Sequence, residues 1–208
     1  MVLRKLLPAA AALWLLSGAA SHATILLNDN FDAENGGVPT LNYFNFANFV
    51  VSNAGIGGAV DLIGSNGSTH FFDFYPGNGL YVDICGSLSA CGVLTTKQVF
   101  APGNYTITLG LGGNARAAVT DSTGVMLGSF VANIPLGENT VATETLGITL
   151  TTASALSISD QGLLGPDIGN ILFSVEVAND VAAIPEPTSL ALLGAGLLVL
   201  AGAARRRS

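Results

Sequence analysis

Tyr105-Thr106-Ile107-Thr108-Leu109 alternates large apolar side chains with threonines at a period of two. That alternation puts one set of side chains on each face of an extended chain, which is the pattern of a half-buried antiparallel strand. Val175-Glu176-Val177 repeats it toward the far end of the chain. Outward from these two, short β-prone runs recur at 41–46, 59–63, 70–75, 80–84, 94–100, 105–111, 116–120, 125–131, 140–150, 155–159 and 168–177. Gly, Asn, Asp and Pro separate them, and no stretch sustains the 3.6-residue period of an amphipathic helix. Pro76-Gly77-Asn78-Gly79 and Pro102-Gly103-Asn104 place turn formers between runs, and the Asn78-Gly79 pair predicts a tight hairpin joining 70–75 to 80–84. Many short strands in one stretch predict an all-β fold, a single antiparallel β-sandwich of the jelly-roll type over residues 24–183.

Composition narrows the function. The chain has 208 residues, 50% hydrophobic and only 10% charged, where soluble domains carry about 25% charged residues. Such a chain can bury a core, so the low-hydrophobicity, high-charge kind of disorder is excluded. Between residues 24 and 183 only Lys97 and Arg116 are basic, against thirteen acidic residues. Nothing there would track a phosphate backbone, so nucleic acid is excluded as a partner.

The two ends read as addresses. Residues 1–23 combine Arg4-Lys5, an apolar run over 6–16 and small residues up to Ala23, the three parts of a secretory signal. Cleavage by signal peptidase is expected between Ala23 and Thr24. The alternative, a transmembrane anchor, needs more apolar residues than the run supplies. At the other end, Ile184-Pro185-Glu186-Pro187 precedes an uncharged apolar stretch over 188–204 and then Arg205-Arg206-Arg207. As a helix that stretch would extend about 26 Å at roughly 1.5 Å per residue, enough to cross a membrane with some thinning. The arginines would hold its end on the cytoplasmic side, leaving residues 24–187 outside. A permanent C-terminal anchor without processing is the simpler alternative.

Residues 184–208 resemble the PEP-CTERM sorting signals of Gram-negative bacteria that make extracellular polysaccharide: a Pro185-Glu186-Pro187 triplet, a Gly-rich apolar helix and an arginine cluster, in that order. The resemblance implies an inner-membrane precursor, recognition and cutting by an exosortase at the triplet, and release to the cell surface or extracellular matrix. The body resembles the galactose-binding-like jelly rolls that serve as carbohydrate-binding modules. The segments that carry this are Asn28 to Gly36, Phe72 to Asp83, Phe100 to Tyr105 and Ile168 to Val177. Where many such modules have an Asp after the Leu of the last strand, this chain has Phe173, so no C-terminal metal ligand carries over.

Five sets of residues bear on chemistry. Cys85 and Cys91 are the only cysteines. In an exported chain they are expected to form a disulfide closing a short loop, against two free thiols or half of a metal site. Asp29, Asp32 and Glu34, with Asn28, Asn30 and Asn35, make a dense oxygen cluster that reads either as a structural calcium loop or as a solvated turn. Calcium is the one cofactor the sequence raises, and the jelly-roll resemblance also implies a calcium near this end. His70 is the only histidine beyond residue 23. Combined with Ser68 or Ser87 and Asp73 it would spell a hydrolase, but the G-x-S-x-G elbow is missing and strand parity separates His70 from Asp73. Asp73 and Asp83 flank the Asn78-Gly79 turn and are expected near each other, either as paired carboxylates or as a solvated face. Among the aromatics, Tyr43, Tyr75 and Tyr81 are the expected sugar contacts if exposed, because sugars offer apolar C–H faces beside hydroxyls. The expectation is an exported, non-catalytic surface or matrix protein associated with extracellular polysaccharide and binding glycan. The alternatives are a purely structural matrix protein and, behind it, a polysaccharide-acting enzyme.

Overall fold

The computed structural model describes residues 23–53, 58–66, 69–87, 90–114, 120–162 and 169–180. From Thr24 to Asp180 they belong to one compact unit. Among the described residues, thirteen strands make up two sheets, antiparallel throughout but for one short strand. β1 (Thr24–Asp29), β4 (Asp61–Asn66), β5 (Thr69–Phe71), β6 (Leu80–Asp83), β8 (Gly103–Gly112), β11 (Val141–Leu150) and β13 (Ile171–Asn179) form the seven-stranded sheet. Its order is β11-β8-β13-β6-β4-β5, with β1 also on β13. β2 (Phe49–Asn53), β7 (Ala90–Thr96), β9 (Asp121–Leu127), β10 (Phe130–Leu136) and β12 (Leu156–Asp160) run β10-β9-β12-β7-β2 in the second sheet, and the short β3 (Gly58–Ala59) joins β7 in parallel.

The period-two stretch behaves as its pattern requires. Tyr105, Ile107, Leu109 and Leu111 of β8 are buried between the sheets, while Thr106, Thr108 and Gly110 are not. Leu172, Val175 and Val177 of β13 join them, with a bulge between Leu172 and Ser174 resetting the register. The second sheet answers with Leu94, Val125, Leu127, Leu156 and Ile158. Each fully buried aliphatic side chain contributes about 1.5–3 kcal/mol from apolar burial, and this inter-sheet layer is the main source of stability.

Several expected elements come out differently. Residues 41–46 form no strand; they cross the sandwich irregularly and drive Tyr43 and Phe46 into the core. The opening expected as a loop contains β1 up to Asp29, and Phe49–Asn53 is a strand that was not expected. Residues 125–131 are not one strand, because Gly128, at φ +62°, turns β9 back into β10. The Asn78-Gly79 hairpin does not form either: β4 lies between β5 and β6 and pairs with both. Residues 116–120 and the expected helices of the two termini lie outside the described residues.

Cys85 and Cys91 form the expected disulfide. It closes the passage from β6 in one sheet to β7 in the other, where Gly92 N–H also donates to Ile84 O (3.0 Å). With so short a loop, the cross-link removes little unfolded-chain entropy. Replacing both cysteines (Cys85→Ala with Cys91→Ala) should therefore cost about 2 kcal/mol of unfolding free energy in a denaturant titration. A loss of twice that would mean the bridge holds the two sheets in register.

Candidate functional site

The seven-stranded sheet has a second apolar cluster on the face turned away from the main core. Ile63, Tyr81, Ile171 and Phe173 project there, covered by Tyr75 and flanked by Leu41 and Phe74. Phe173 thus fills the position at which the resemblance leads one to expect an acid. Its ring packs edge-on against Tyr75 (5.2 Å) and Tyr81 (5.3 Å).

Tyr81 organises the covering segment. Its hydroxyl accepts the backbone N–H groups of Phe74 (2.6 Å) and Tyr75 (3.0 Å) and donates to Asp73 Oδ1 (3.2 Å). Burial, more than any neighbouring charge, holds that phenol well above the ordinary tyrosine range. Asn78 N–H closes a turn onto Tyr75 O around Pro76-Gly77, where Gly77 takes the positive φ that the turn requires. This anchoring explains the missing hairpin: residues 72–79 lie across the sheet face instead of extending along it.

The segment walls a pocket of about 230 Å³. Phe72 and Phe74 stand with centroids 6.4 Å apart and planes at 33°, and with Leu41 and Ile63 they give it an apolar side. Phe72 is 47% exposed and sits at φ +49°, a left-handed conformation that costs a non-glycine residue on the order of 1 kcal/mol or more. The polar side is Asp61, Asp83 and Ser87. Asp61 on β4 stands directly opposite Asp83 on β6. Asp61 Oδ1 accepts from Asn42 N–H (2.6 Å) and Oδ2 from the Ser87 hydroxyl (2.7 Å), while Asp83 Oδ1 accepts from Cys85 N–H (3.0 Å).

The expected site residues are distributed differently. Asp83 faces Asp61, not Asp73, whose carboxylate meets the Tyr81 hydroxyl instead. Tyr43, Tyr75 and Tyr81 are all buried, so none offers an exposed ring to a sugar. Tyr43 donates to Asn45 O (3.0 Å), and Tyr75 donates to Gly113 O. Ser87 serves Asp61. Ser68 and the side chain of His70 lie outside the described residues.

The acidic opening is also built into the fold. Asp29 accepts from Phe31 N–H (2.9 Å) and from the Asn48 amide (3.0 Å). Glu34 accepts from Ala47 N–H (2.8 Å). Asp32 turns elsewhere and accepts from Leu80 N–H (2.9 Å), bracing the start of β6. Burial raises the Glu34 pKa, with Asp29 adding to the shift and Ala47 N–H and Lys97 opposing it. Among the described residues, the three carboxylates do not converge on one point; the group that does gather comprises Cys85, Cys91 and Asp160.

Residues 183–207, with the Pro-Glu-Pro triplet, the apolar run and the arginines, match the family model of the PEP-CTERM protein-sorting motif. The chain carries a PEP-CTERM sorting motif. That motif marks an exported precursor, held at the membrane before an exosortase processes it. The PEP-CTERM residues lie outside the described part, and among the described residues no helix is long and apolar enough to cross a membrane. No curated protein matches the chain in sequence. In fold, the body is similar to the K3 cleaved adhesin domain of Lys-gingipain from Porphyromonas gingivalis, at 16% identity and TM-score 0.52, covering 76% of this chain and 99% of that one. It is also similar to the CBM22-1 xylan-binding domain of Xyn10C from Paenibacillus barcinonensis (12% identity, TM-score 0.48, 79% and 100% covered). A third similar structure is a family 35 carbohydrate-binding module from Clostridium thermocellum (9%, 0.38, 67% and 97%).

Two outcomes test this geometry. Tyr81→Phe leaves two backbone N–H groups without their acceptor and should cost about 2 kcal/mol, with faster hydrogen exchange at Phe74 and Tyr75. Unchanged exchange would show the segment is held by other contacts. Glu34 has a raised pKa in the fold, so its cost is absent below the usual value of 4.5 and grows as pH rises through the folded value. Glu34→Gln keeps an acceptor for Ala47, so melting curves should show it gaining on the parent between pH 4 and pH 7. A calcium ion held at Asp29, Asp32 and Glu34 would reverse that sign.

Proposed function

We propose that the body of this PEP-CTERM protein is a non-catalytic glycan-binding module of the cell surface or matrix, with the Phe72–Phe74 pocket as its site. The observation that carries the reading is the pairing of two phenylalanine rings with two carboxylates and a hydroxyl in one recess. A sugar ring presents the matching surfaces, C–H faces for the rings and hydroxyl donors for the acids. At about 230 Å³ the recess is smaller than the roughly 300–1,000 Å³ of drug-sized ligand sites, which suits one terminal or side-chain sugar. The two acids disfavour uronic acids and other anionic sugars, so the ligand is a neutral pyranose.

The same hydrogen bonds speak against catalysis. Both oxygens of Asp61 serve as acceptors for Asn42 and Ser87, which suits a fixed acceptor and not a proton donor for a leaving group. The test is calorimetric titration of the purified chain with neutral oligosaccharides and with its host's exopolysaccharide. Saturable binding is expected, weakened about tenfold by Phe72→Ala and by Phe74→Ala, the equivalent of one lost aromatic contact. Binding untouched by both variants would move the site elsewhere. No binding at all would leave the structural matrix role.

A further inference from the structure

At one end of the sandwich the inter-sheet face changes from apolar to polar. β9 buries Asp121 and Thr123 ahead of Val125, all at alternate positions, and β12 runs Leu156, Ile158, Asp160 on the facing pattern. Thr123 stands directly opposite Asp160 in the ladder. Asn170, two residues before Leu172, closes the same end from the seven-stranded sheet, and its backbone N–H donates to Asp160 Oδ2 (2.8 Å). Gly162 N–H donates to Asp160 Oδ1 (2.6 Å) and Ser122 N–H to Asp121 Oδ1 (2.7 Å).

These bonds leave a deficit. Thr123 and Asn170 are 0% exposed and Asp121 is 4% exposed. Asp121 Oδ2, Thr123 Oγ1 and both Asn170 side-chain polar atoms nevertheless find no hydrogen-bond partner among the described residues. An orphaned buried polar group is costly, and here they cluster beside two acids with no basic side chain of the described residues in the set. Burial, reinforced by Asp121, pushes the Asp160 carboxyl up to about 6. The carboxylate of Asp160 also lies within 4.8 Å of Cys85 and Cys91 Sγ, but those sulfurs are consumed in the disulfide and supply no thiolate. What remains is a set of hard oxygens: two carboxylates, a hydroxyl and an amide carbonyl.

We propose that Asp121, Thr123, Asp160 and Asn170 form an interior calcium site that ties β9 and β12 of one sheet to the start of β13 in the other. Calcium takes six to eight oxygens in flexible geometry, so it tolerates this mixed set, with backbone and water completing the shell, better than the rigid octahedron of magnesium. The site is separate from the Asp29–Glu34 opening and from the Phe72–Phe74 pocket.

The experiment follows thermal unfolding of the full chain after chelation and after calcium is returned, with calorimetric titration of calcium itself. Chelation is expected to lower the melting temperature and calcium to restore it. Asp121→Asn and Asp160→Asn should each weaken calcium binding about tenfold or more, since ligand charge sets affinity, while Glu34→Gln leaves it unchanged. If the asparagine variants fail to fold, anomalous diffraction from calcium-soaked parent crystals decides, with a peak among Asp121, Asp160 and Asn170 expected. A melting temperature indifferent to chelator and calcium would overturn the site, as would calcium binding lost in Glu34→Gln but kept in Asp121→Asn, or an anomalous peak elsewhere.

Discussion

The hydroxyl of Tyr81 is the constraint on which the candidate site depends. It rises from the outer face of the seven-stranded sheet and accepts two consecutive backbone N–H groups from residues 74 and 75. Together with the Tyr75 hydroxyl, which donates to Gly113 O, and the Tyr75 ring packed on Phe173, it holds residues 72–79 across the sheet. With it, Tyr75 seals a second apolar cluster against Phe173, and Phe72 and Phe74 are carried to the rim of a recess floored by Asp61 and Asp83. A backbone anchored by a side chain places rings more rigidly than a free loop would, which favours binding by limiting what must be ordered on contact.

The scarcity of charge becomes intelligible from the same structure. Asp29, Glu34, Asp61, Asp83 and Asp121 are all buried, and most of their bonds go to backbone N–H groups or neutral side chains. These acids terminate strands and fix crossings between sheets, work that in many domains falls to turns at the surface. An acidic body here is therefore an architectural property first. It bears on ligands only where two such acids meet in a recess, or where their charge is left uncompensated.

The sandwich was legible because strand alternation is a local pattern. Residues 105–111 and 175–177 show their buried face directly in the order of residue types, and the cysteine pair follows from proximity and export. The sorting tail was legible for the same reason, since its three parts are consecutive. The pocket was not. Asp61 opens a strand with nothing locally unusual about it, and its position opposite Asp83 depends on β4 inserting between β5 and β6. The turn closes around Pro76-Gly77 instead of Asn78-Gly79, and the hydroxyl at position 81 that anchors the chain beside it is a contact no pairwise turn rule contains. The tyrosines were singled out for their amphipathic rings; that same chemistry, an apolar body with a hydrogen-bonding tip, is what lets them serve as internal struts.

The most direct test of the account is a nuclear magnetic resonance titration of the isotope-labelled chain with a neutral oligosaccharide, following every backbone amide. The account predicts that shifts concentrate at Phe72 to Tyr75, Asp61, Asp83 and Ser87, the two sides of one recess. Shifts confined to the other sheet, or none at saturating sugar, would contradict it.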